Sequence, residues 1–304
     1  MGQSPPDSNG RLNAVDVLSL TALLLLAVVV AFFRRQLREE VFWLLGLYAA
    51  LSAFVLIAAF RAPRQRAWRL VHDFSPILLV IAVFSSLGPI IDCASPARWD
   101  VTFARLDGQL LGDLPQRWRD LLGRPAWLVD AASIAYVAYY VAPVSLAVLL
   151  YLRRPPADFR RMAFTVVLTF YASYAGYFVF PTLGPRVSAE AGAPLIGGDI
   201  SQAVRVFIDL AERTRTDAFP SGHTAIALLC VYFARQFSAV AFAIFSLAAT
   251  GIVFSTVYLH YHYVVDLIAG ALLAGGCAWM APRLQPLLEP HEMRRWLAVR
   301  LGHR

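Results

Sequence analysis

The sequence has few charged residues and no lysine. Only 15% of its 304 residues are charged, whereas 59% are hydrophobic, a balance that excludes an ordinary soluble domain of this size. All 27 basic residues are arginine, which together with the many alanines indicates a GC-rich bacterial genome. The three cysteines, Cys93, Cys230 and Cys277, predict neither a disulfide framework nor a CxxC metal motif. The shortage of charge therefore predicts a polytopic membrane protein.

Long apolar runs account for most of the chain. About 20 apolar residues cross a hydrocarbon core of about 30 Å. Eight such runs occur, near 17–33, 41–60, 74–91, 126–152, 159–180, 221–235, 237–257 and 262–281. They lack the alternation of barrel strands, and backbone groups in lipid must be satisfied internally. The sequence therefore predicts an all-α integral membrane protein with about eight transmembrane helices, of which the sixth is the shortest.

The arginines predict which ends of the spans face the cytoplasm. With eight spans, one face of the membrane receives 15 arginines and 6 acidic residues, and the other face receives 12 arginines and 14 acidic residues. The short arginine-rich loops at 61–73 and 153–161 place the first face in the cytoplasm. We therefore expect FPSGH, residues 219–223, to open on the extracytoplasmic side. Arginines at the inner leaflet explain the net charge of +7 without a nucleic-acid partner.

Three polar clusters fall at the predicted outer ends of different spans. FPTLGPRV, residues 180–187, closes the fifth run and carries Arg186. FPSGH begins the sixth run, and STVYLHYHYVVD, residues 255–266, joins the seventh run to the eighth. Polar groups near hydrocarbon cost free energy unless they are paired or used. We therefore expect the three clusters to converge at one membrane depth and to form a functional site.

The third cluster contains a histidine and an aspartate four residues apart. On a helix His262 and Asp266 share one face, so the carboxylate accepts the imidazole proton and leaves the other ring nitrogen as a nucleophile. His260 would point elsewhere on the same helix. A metal site that uses His260 and His262 would require a strand and stays an alternative.

The turn Ser221-Gly222-His223 is typical of a helix N-terminus, where free N–H groups and the helix dipole favour an anion. Gly222 would let a phosphate oxygen approach the backbone, and Arg186 can grip the same group with two N–H donors. His223 would then donate a proton to a leaving oxygen. Structural roles remain open for each residue: a serine N-cap, a histidine tip at the interface, or a polar contact between helices through Asp266.

The motifs GPR, PSGH and S-x6-H-x3-D resemble the three-part signature of the type 2 phosphatidic acid phosphatase superfamily, membrane enzymes that act on lipid phosphates. The resemblance implies that His262 is a nucleophile that forms a phosphohistidine, that Asp266 orients it, and that His223 is first acid and then base. It implies phosphate binding by three residues of the first two motifs, Arg186, Ser221 and Gly222. No metal or organic cofactor is implied.

The resemblance also implies a domain organisation. It covers residues 74–281, which would form a six-helix catalytic core. Residues 17–73 would add two transmembrane helices in front of that core. Polar tails are expected at 1–16 and, in the cytoplasm, at 282–304; no cleavage site follows the first apolar run, so we expect no cleaved signal peptide.

Two departures from the phosphatase signature bear on the substrate. The usual lysine before the first motif is absent, and the third motif has Thr256 where phosphatases carry arginine. Either another residue replaces that arginine, or the donor is a phosphodiester with less charge. STVYLHYHYVVDLIAG, residues 255–270, is similar to inositol phosphorylceramide synthases, which lack the arginine. LDGQLLGDLP, Leu106 to Pro115, also resembles a segment of that branch, although an ordinary amphipathic interfacial helix fits it too.

The resemblance therefore implies a phosphotransferase, and the composition and the predicted sidedness lead us to expect it in a bacterial inner membrane. Its partners would be a phospholipid donor, a lipid hydroxyl acceptor and the bilayer itself. Two alternatives remain: a lipid phosphate phosphatase, in which water is the acceptor, and a lipid-phosphate binding or transport protein without turnover. The histidines and the aspartate of the motifs argue against the last alternative, because binding alone requires no nucleophile.

Overall fold

The computed structural model describes residues 12–112, 114–187, 195–212 and 214–290. Within these ranges the chain forms twelve α-helices and one 3-10 turn, Pro185–Val187. The helices are α1 (Ala14–Phe32), α2 (Arg34–Leu37), α3 (Glu40–Arg61), α4 (Arg66–Ala94), α5 (Asp100–Leu111), α6 (Leu114–Leu122), α7 (Ala126–Arg153), α8 (Pro156–Val179), α9 (Asp199–Ala211), α10 (Gly222–Phe237), α11 (Ala239–Tyr258) and α12 (Val264–Leu288). Across the described ranges, β-structure is limited to an isolated bridge between Thr182 and Asp217. The predicted all-α class is confirmed.

Seven of the described helices are long and apolar enough to span a membrane, namely α1, α3, α4, α7, α8, α11 and α12. They coincide with seven of the eight predicted runs. The predicted sixth run is α10, a helix of 16 residues. At 1.5 Å per residue α10 is about 24 Å long, shorter than a hydrocarbon core of about 30 Å. The chain therefore has seven described helices of spanning length and one shorter helix among them.

The helices α10 and α11 pack against each other in opposite directions. Only Ser238 separates them, and its side chain accepts a hydrogen bond from Ala241 N, which caps the start of α11. Buried Ala227 of α10 packs with Ala249 and Ile252 of α11. Both helices also contact α7. The reversal places the first turn of α10 at the same end of the bundle as the last turn of α11.

The described residues divide into two compact units. One contains Phe84–Ala278, and the other contains the described residues before Phe84 and after Ala278. All six predicted site residues lie in the first of these units. In the other unit His72 Nε2 lies 2.8 Å from Asp16 Oδ2, and both side chains are buried. This pair joins the start of α1 to α4.

At both ends of the chain a helix extends into the segment that was predicted to be a polar tail. The helix α1 begins at Ala14, three residues before the predicted run, and α12 continues through Pro282 to Leu288. The remaining parts of the predicted tails, 1–11 and 291–304, lie outside the described residues. The domain boundaries expected at 74 and 281 stay predictions.

Three amphipathic helices connect the spans on the predicted outer side. The helices α5 and α6 lie between α4 and α7, and α9 lies between α8 and α10. The segment Leu106–Pro115 is not one continuous helix, because α5 ends at Leu111 and Gly112 has a φ of +62°. Leu110 is exposed, whereas Asp107 of the same helix is buried. This segment therefore has an apolar exposed face and a buried polar face.

Candidate active site

Backbone contacts join the three predicted motif segments at one end of the bundle. Ala218 N donates a hydrogen bond of 3.0 Å to Thr182 O, which links the first segment to the chain just before the second. Ser221 N donates a hydrogen bond of 3.0 Å to Asp266 O, which links the second segment to the third. The six predicted site residues therefore lie on segments that contact one another, although they are up to 80 residues apart in the sequence.

Two glycines allow the closest of these approaches. Gly184 has a φ of +83°, and a Cβ at this position would lie 2.5 Å from Tyr261 O. Gly270 of α12 is equally close to the second segment, since a Cβ there would lie 2.4 Å from Ser221 O. Any side chain at either position would therefore push two motif segments apart.

His262 and Asp266 are in contact, but the predicted shared helical face is wrong. The helix α12 begins at Val264, so His262 lies in the loop before it. His262 N donates to Thr256 O at the end of α11, which holds the loop in this path. The Asp266 side chain turns back toward the loop: its Oδ2 lies 3.3 Å from His262 Nδ1 and accepts a hydrogen bond of 2.9 Å from Tyr263 N. The contact thus depends on a bend and a helix cap.

His223 lies in the first turn of α10 and faces His262. Its Nδ1 is 3.3 Å from His262 Nε2. The imidazole is packed between two tyrosine rings, with centroid distances of 4.5 Å to Tyr136 and 4.1 Å to Tyr139. The rings restrict the orientation of His223. The candidate nucleophile and the candidate acid are therefore within hydrogen-bond reach, as proton transfer between reacting groups requires.

A largely buried carboxylate on the far side of His223, that of Glu212, was missed in the sequence. Glu212 Oε1 lies 3.9 Å from His223 Nε2. It accepts hydrogen bonds from the hydroxyls of Tyr136, at 2.9 Å, and Tyr140, at 2.7 Å. Burial raises the pKa of Glu212, and the two tyrosine hydrogen bonds oppose that rise. Glu212 follows an amphipathic helix and belongs to no motif, so its sequence context carried no signal.

A second carboxylate, that of Asp217, interacts electrostatically with Glu212. Asp217 is the partner of Thr182 in the isolated bridge between the first two segments. Burial, together with the neighbouring Glu212, raises the pKa of Asp217 well above its ordinary value. The charge of Arg186 acts in the opposite direction on both carboxyl groups. The candidate site therefore contains more acidic groups than its motifs alone predict.

Ser221 and Gly222 form the predicted helix N-terminus. Ser221 is the N-cap of α10, and its Oγ accepts a hydrogen bond of 3.2 Å from Thr224 N. Ser221 therefore also has the structural role of an N-cap, which the sequence left open. The N–H groups of Gly222 and His223 occupy the positions at which a helix offers no partner of its own. A Cβ on Gly222 would lie 3.2 Å from the Tyr177 hydroxyl. This end of α10 is suited to an anion.

Arg186 lies in the 3-10 turn and reaches the loop that bears His262. Its guanidinium carbon is 4.6 Å from the centroid of the Tyr261 ring, within the range of a cation–π contact. The Tyr261 ring in turn lies 4.3 Å from that of Tyr136, which packs against His223. A continuous column of planar groups thus connects Arg186 to the candidate acid. A guanidinium held over a ring can direct N–H donors at a phosphate.

Two further residues of the third motif segment, Thr256 and His260, make contacts that the sequence did not predict. Thr256 is fully buried, and its hydroxyl donates a hydrogen bond of 2.8 Å to Val253 O of its own helix. His260 has a φ of +63°, and its Nε2 contacts the guanidinium of Arg119 on α6. His260 is therefore engaged with α6. Among the described residues, no group of three or more metal-binding side chains is placed around one point.

Comparison with known proteins identifies a family for the chain. Residues 101–280, more than half of the chain and the part that holds all six predicted site residues, match the PAP2 superfamily. A PA-phosphatase related-family protein of Dictyostelium discoideum is 23% identical over 246 residues, which cover 66% of this chain and 44% of that relative. The chain thus spans less than half the length of this relative. No solved structure matches the chain. The motifs, the membrane-spanning helices and the family match lead to one conclusion: the chain belongs to the PAP2 superfamily, whose members are phosphatases and phosphotransferases.

Proposed function

We propose that the protein is a lipid phosphotransferase similar to inositol phosphorylceramide synthases. It moves a phosphate-bearing head group from a phospholipid to a lipid hydroxyl on the extracytoplasmic side of a bacterial inner membrane. The observation that carries the proposal is Thr256, a buried and uncharged residue at the position where phosphatases of the superfamily carry arginine.

The first half of the reaction forms a phosphohistidine. His262 Nε2 attacks phosphorus, and the bond between phosphorus and the leaving lipid oxygen breaks. His223 gives its proton to that oxygen. Asp266 accepts the Nδ1–H of His262 and stabilises the positive charge that develops on the ring. The 3.3 Å contact between the two imidazoles closes the space that phosphorus requires, so the bound donor must separate the rings.

The second half transfers the head group to the acceptor. The acceptor hydroxyl gives its proton to His223 and attacks phosphorus, and the bond between phosphorus and His262 Nε2 breaks. In both halves Arg186 and the first N–H groups of α10 neutralise the phosphate oxygens. Both groups lie on segments that contact the third motif segment. Arg186 contacts Tyr261, and Ser221 N, at the start of α10, donates a hydrogen bond to Asp266 O.

The balance of charge favours a phosphodiester donor. A phosphomonoester carries about 1.5 to 2 negative charges at neutral pH, whereas a diester carries one. Arg186 is accompanied by the carboxyl groups of Glu212 and Asp217, which add no positive charge in either protonation state. A charged hydrogen bond contributes about 1.5 to 3 kcal/mol. The lack of a second guanidinium at position 256 therefore weakens the binding of a dianion more than that of a monoanion.

A lipid phosphate phosphatase is the second candidate. The Dictyostelium relative is named as a PA-phosphatase related-family protein, which favours this candidate. In that reaction water takes the place of the acceptor hydroxyl, and His262, Asp266 and His223 keep the same tasks.

One experiment separates the two candidates. Purified protein is incubated with phosphatidic acid alone, and with phosphatidylinositol in the presence and absence of ceramide or diacylglycerol. Free phosphate, free head-group phosphate and new phospholipid are followed separately by mass spectrometry, with His262→Ala as the inactive control. We expect new phospholipid from the diester and slow release of phosphate. Rapid phosphate release from phosphatidic acid, with no new lipid from any diester, would leave the phosphatase.

A further inference from the structure

One face of α5 contacts the first motif segment through a carboxylate. Asp100, the first residue of α5, accepts hydrogen bonds from two consecutive amides: Leu183 N at 3.2 Å and Gly184 N at 3.0 Å. Each bond uses a different carboxylate oxygen. Two bonds to neighbouring amides hold the orientation of the segment as well as its position, and Arg186 follows two residues later.

The same helix holds the third motif segment in the same way. Asp107 is buried, and it accepts hydrogen bonds from Val264 N at 2.6 Å and Val265 N at 2.8 Å, again with one oxygen for each. These amides begin α12, so Asp107 is a cap supplied by a distant part of the chain. Its negative charge lies at the positive end of the α12 dipole. The helix that carries Asp266 is thereby fixed at its first turn.

The second motif segment meets α5 between these two carboxylates. Phe103 is buried, and its ring stacks on that of Phe219 with a centroid distance of 4.5 Å. Asp100, Phe103 and Asp107 are spaced by three and four residues, so they share one face of the helix. All three motif segments are therefore in contact with one face of a single helix that lies outside the motifs.

We propose that α5 is a brace that sets the position of the Arg186 segment relative to the His262–Asp266 pair, and that Asp100 and Asp107 are its positioning residues. This inference rests on the proposed function only in that the braced groups act on one phosphate. The exposed face of α5 does not contribute to the brace. Each of the two positions requires a carboxylate because it must accept hydrogen bonds from two consecutive backbone amides.

The effect of the brace on the reaction follows from geometry. Phosphoryl transfer depends on the alignment of nucleophile, phosphorus and leaving oxygen, and on donors placed at the phosphate oxygens. A displacement of about 1 Å in a catalytic group can lower the rate by about 100-fold. A loosened brace changes the alignment but removes no group that contacts the phosphate, so it lowers kcat more than it raises KM.

The test uses three full-length variants, Asp100→Asn, Asp107→Asn and the double variant. Asparagine keeps the shape but places an NH2 donor against a backbone N–H, so one of the two bonds is lost. Asp120→Asn is the matched control, because Asp120 of α6 is exposed and bonds to Gln116 of the same helix. Turnover is measured with whichever phosphate ester the unaltered protein uses, transferase donor or phosphatase substrate.

We expect each single variant to lower kcat about 10- to 100-fold with KM within roughly threefold. The double variant should lose less than the product of the two single losses, because release of either end frees the brace. Independent losses that multiply would overturn the proposal, as would kcat values equal to those of the Asp120→Asn control. If Asp107→Asn does not fold, Asp100→Asn tests the other end by itself.

Hydrogen exchange measured by mass spectrometry provides a readout that needs no turnover. Asp107→Asn should accelerate exchange at the amides of Val264 and Val265 and also at those of Leu183 and Gly184 across the site, and Asp120→Asn should change neither. Acceleration confined to the amides that Asp107 contacts would overturn the brace. Because exchange does not depend on the reaction, this arm decides the inference even if no phosphotransferase activity is found.

Discussion

His223 Nδ1 lies 3.3 Å from His262 Nε2, so the two candidate catalytic imidazoles contact each other directly. Asp266 Oδ2, 3.3 Å from His262 Nδ1, accepts a hydrogen bond from an N–H at that nitrogen. His262 Nε2 is then the acceptor, and the hydrogen between the two rings belongs to His223, an assignment made from the hydrogen-bond network. This is the proton that the proposed reaction delivers to the leaving oxygen. The resting site therefore holds its acid beside its nucleophile.

The nucleophile is tested by substitution. We expect His262→Ala to abolish turnover, because His262 Nε2 forms the bond to phosphorus in the proposed reaction. Asp266→Asn should retain a trace, by analogy with the loss of about 10⁴ when the carboxylate partner of a catalytic histidine is replaced. His260→Ala should be much milder, since His260 contacts Arg119. Rates are measured in the lipid assay. Equal losses for His260→Ala and His262→Ala would contradict the assignment.

Glu212→Gln should lower activity and reduce the pH dependence of stability. Burial raises the pKa of Glu212, so the folded state binds more protons than the unfolded state above the ordinary glutamate pKa of about 4.3. The stability that this group contributes is then lost as the pH rises from the unfolded pKa through the folded pKa. Glutamine cannot ionise, so the variant lacks this loss. We expect the midpoint of thermal unfolding to fall less in the variant than in the unaltered protein as the pH rises above the ordinary glutamate pKa of about 4.3.

The control for this measurement is Glu39→Gln, at an exposed position before α3. It should leave both the activity and the pH dependence unchanged. A Glu212→Gln protein with full activity would show that the contact with His223 has no part in the reaction.

Gly184→Ala should destabilise the protein and lower its activity. Alanine is strained at a φ of +83°, and its Cβ would lie 2.5 Å from Tyr261 O. Residues held in such conformations cost about 1 to 3 kcal/mol. Gly275→Ala is the matched control, because nothing lies within 4 Å of a Cβ there and the residue is helical. It should be neutral or stabilising by up to about 1 kcal/mol. Thermal unfolding in detergent compares the two, and equal midpoints would contradict the close approach of the segments.

The sidedness of the membrane is tested by labelling. In a background with serine in place of Cys93, Cys230 and Cys277, Ile196→Cys should react with a membrane-impermeant thiol reagent in intact cells or spheroplasts. Ile196 is 80% exposed and lies just before α9, on the predicted outer side of the membrane. Ala157→Cys, exposed at the start of α8 in an arginine-rich loop, should react only after the cells are opened. The reverse pattern would place the site in the cytoplasm.

The sequence alone determined the membrane spans and the motif residues. A run of about 20 apolar residues identifies a spanning helix without knowledge of its neighbours, and seven described helices agree with such runs. The pairing of His262 with Asp266 is local enough to be predicted from spacing, although the structure forms it through a loop and a helix cap.

Only the tertiary structure decided which other groups meet these residues. Glu212 contacts Tyr136, 76 residues away, and Asp107 contacts Val264, 157 residues away. Separations of this size follow no helical period, so neither carboxylate differs in its local sequence from an acid on an exposed face. The position of each is set by the packing of helices distant in the chain, and for that reason the partners of the candidate acid and the cap of α12 became visible only in the folded molecule.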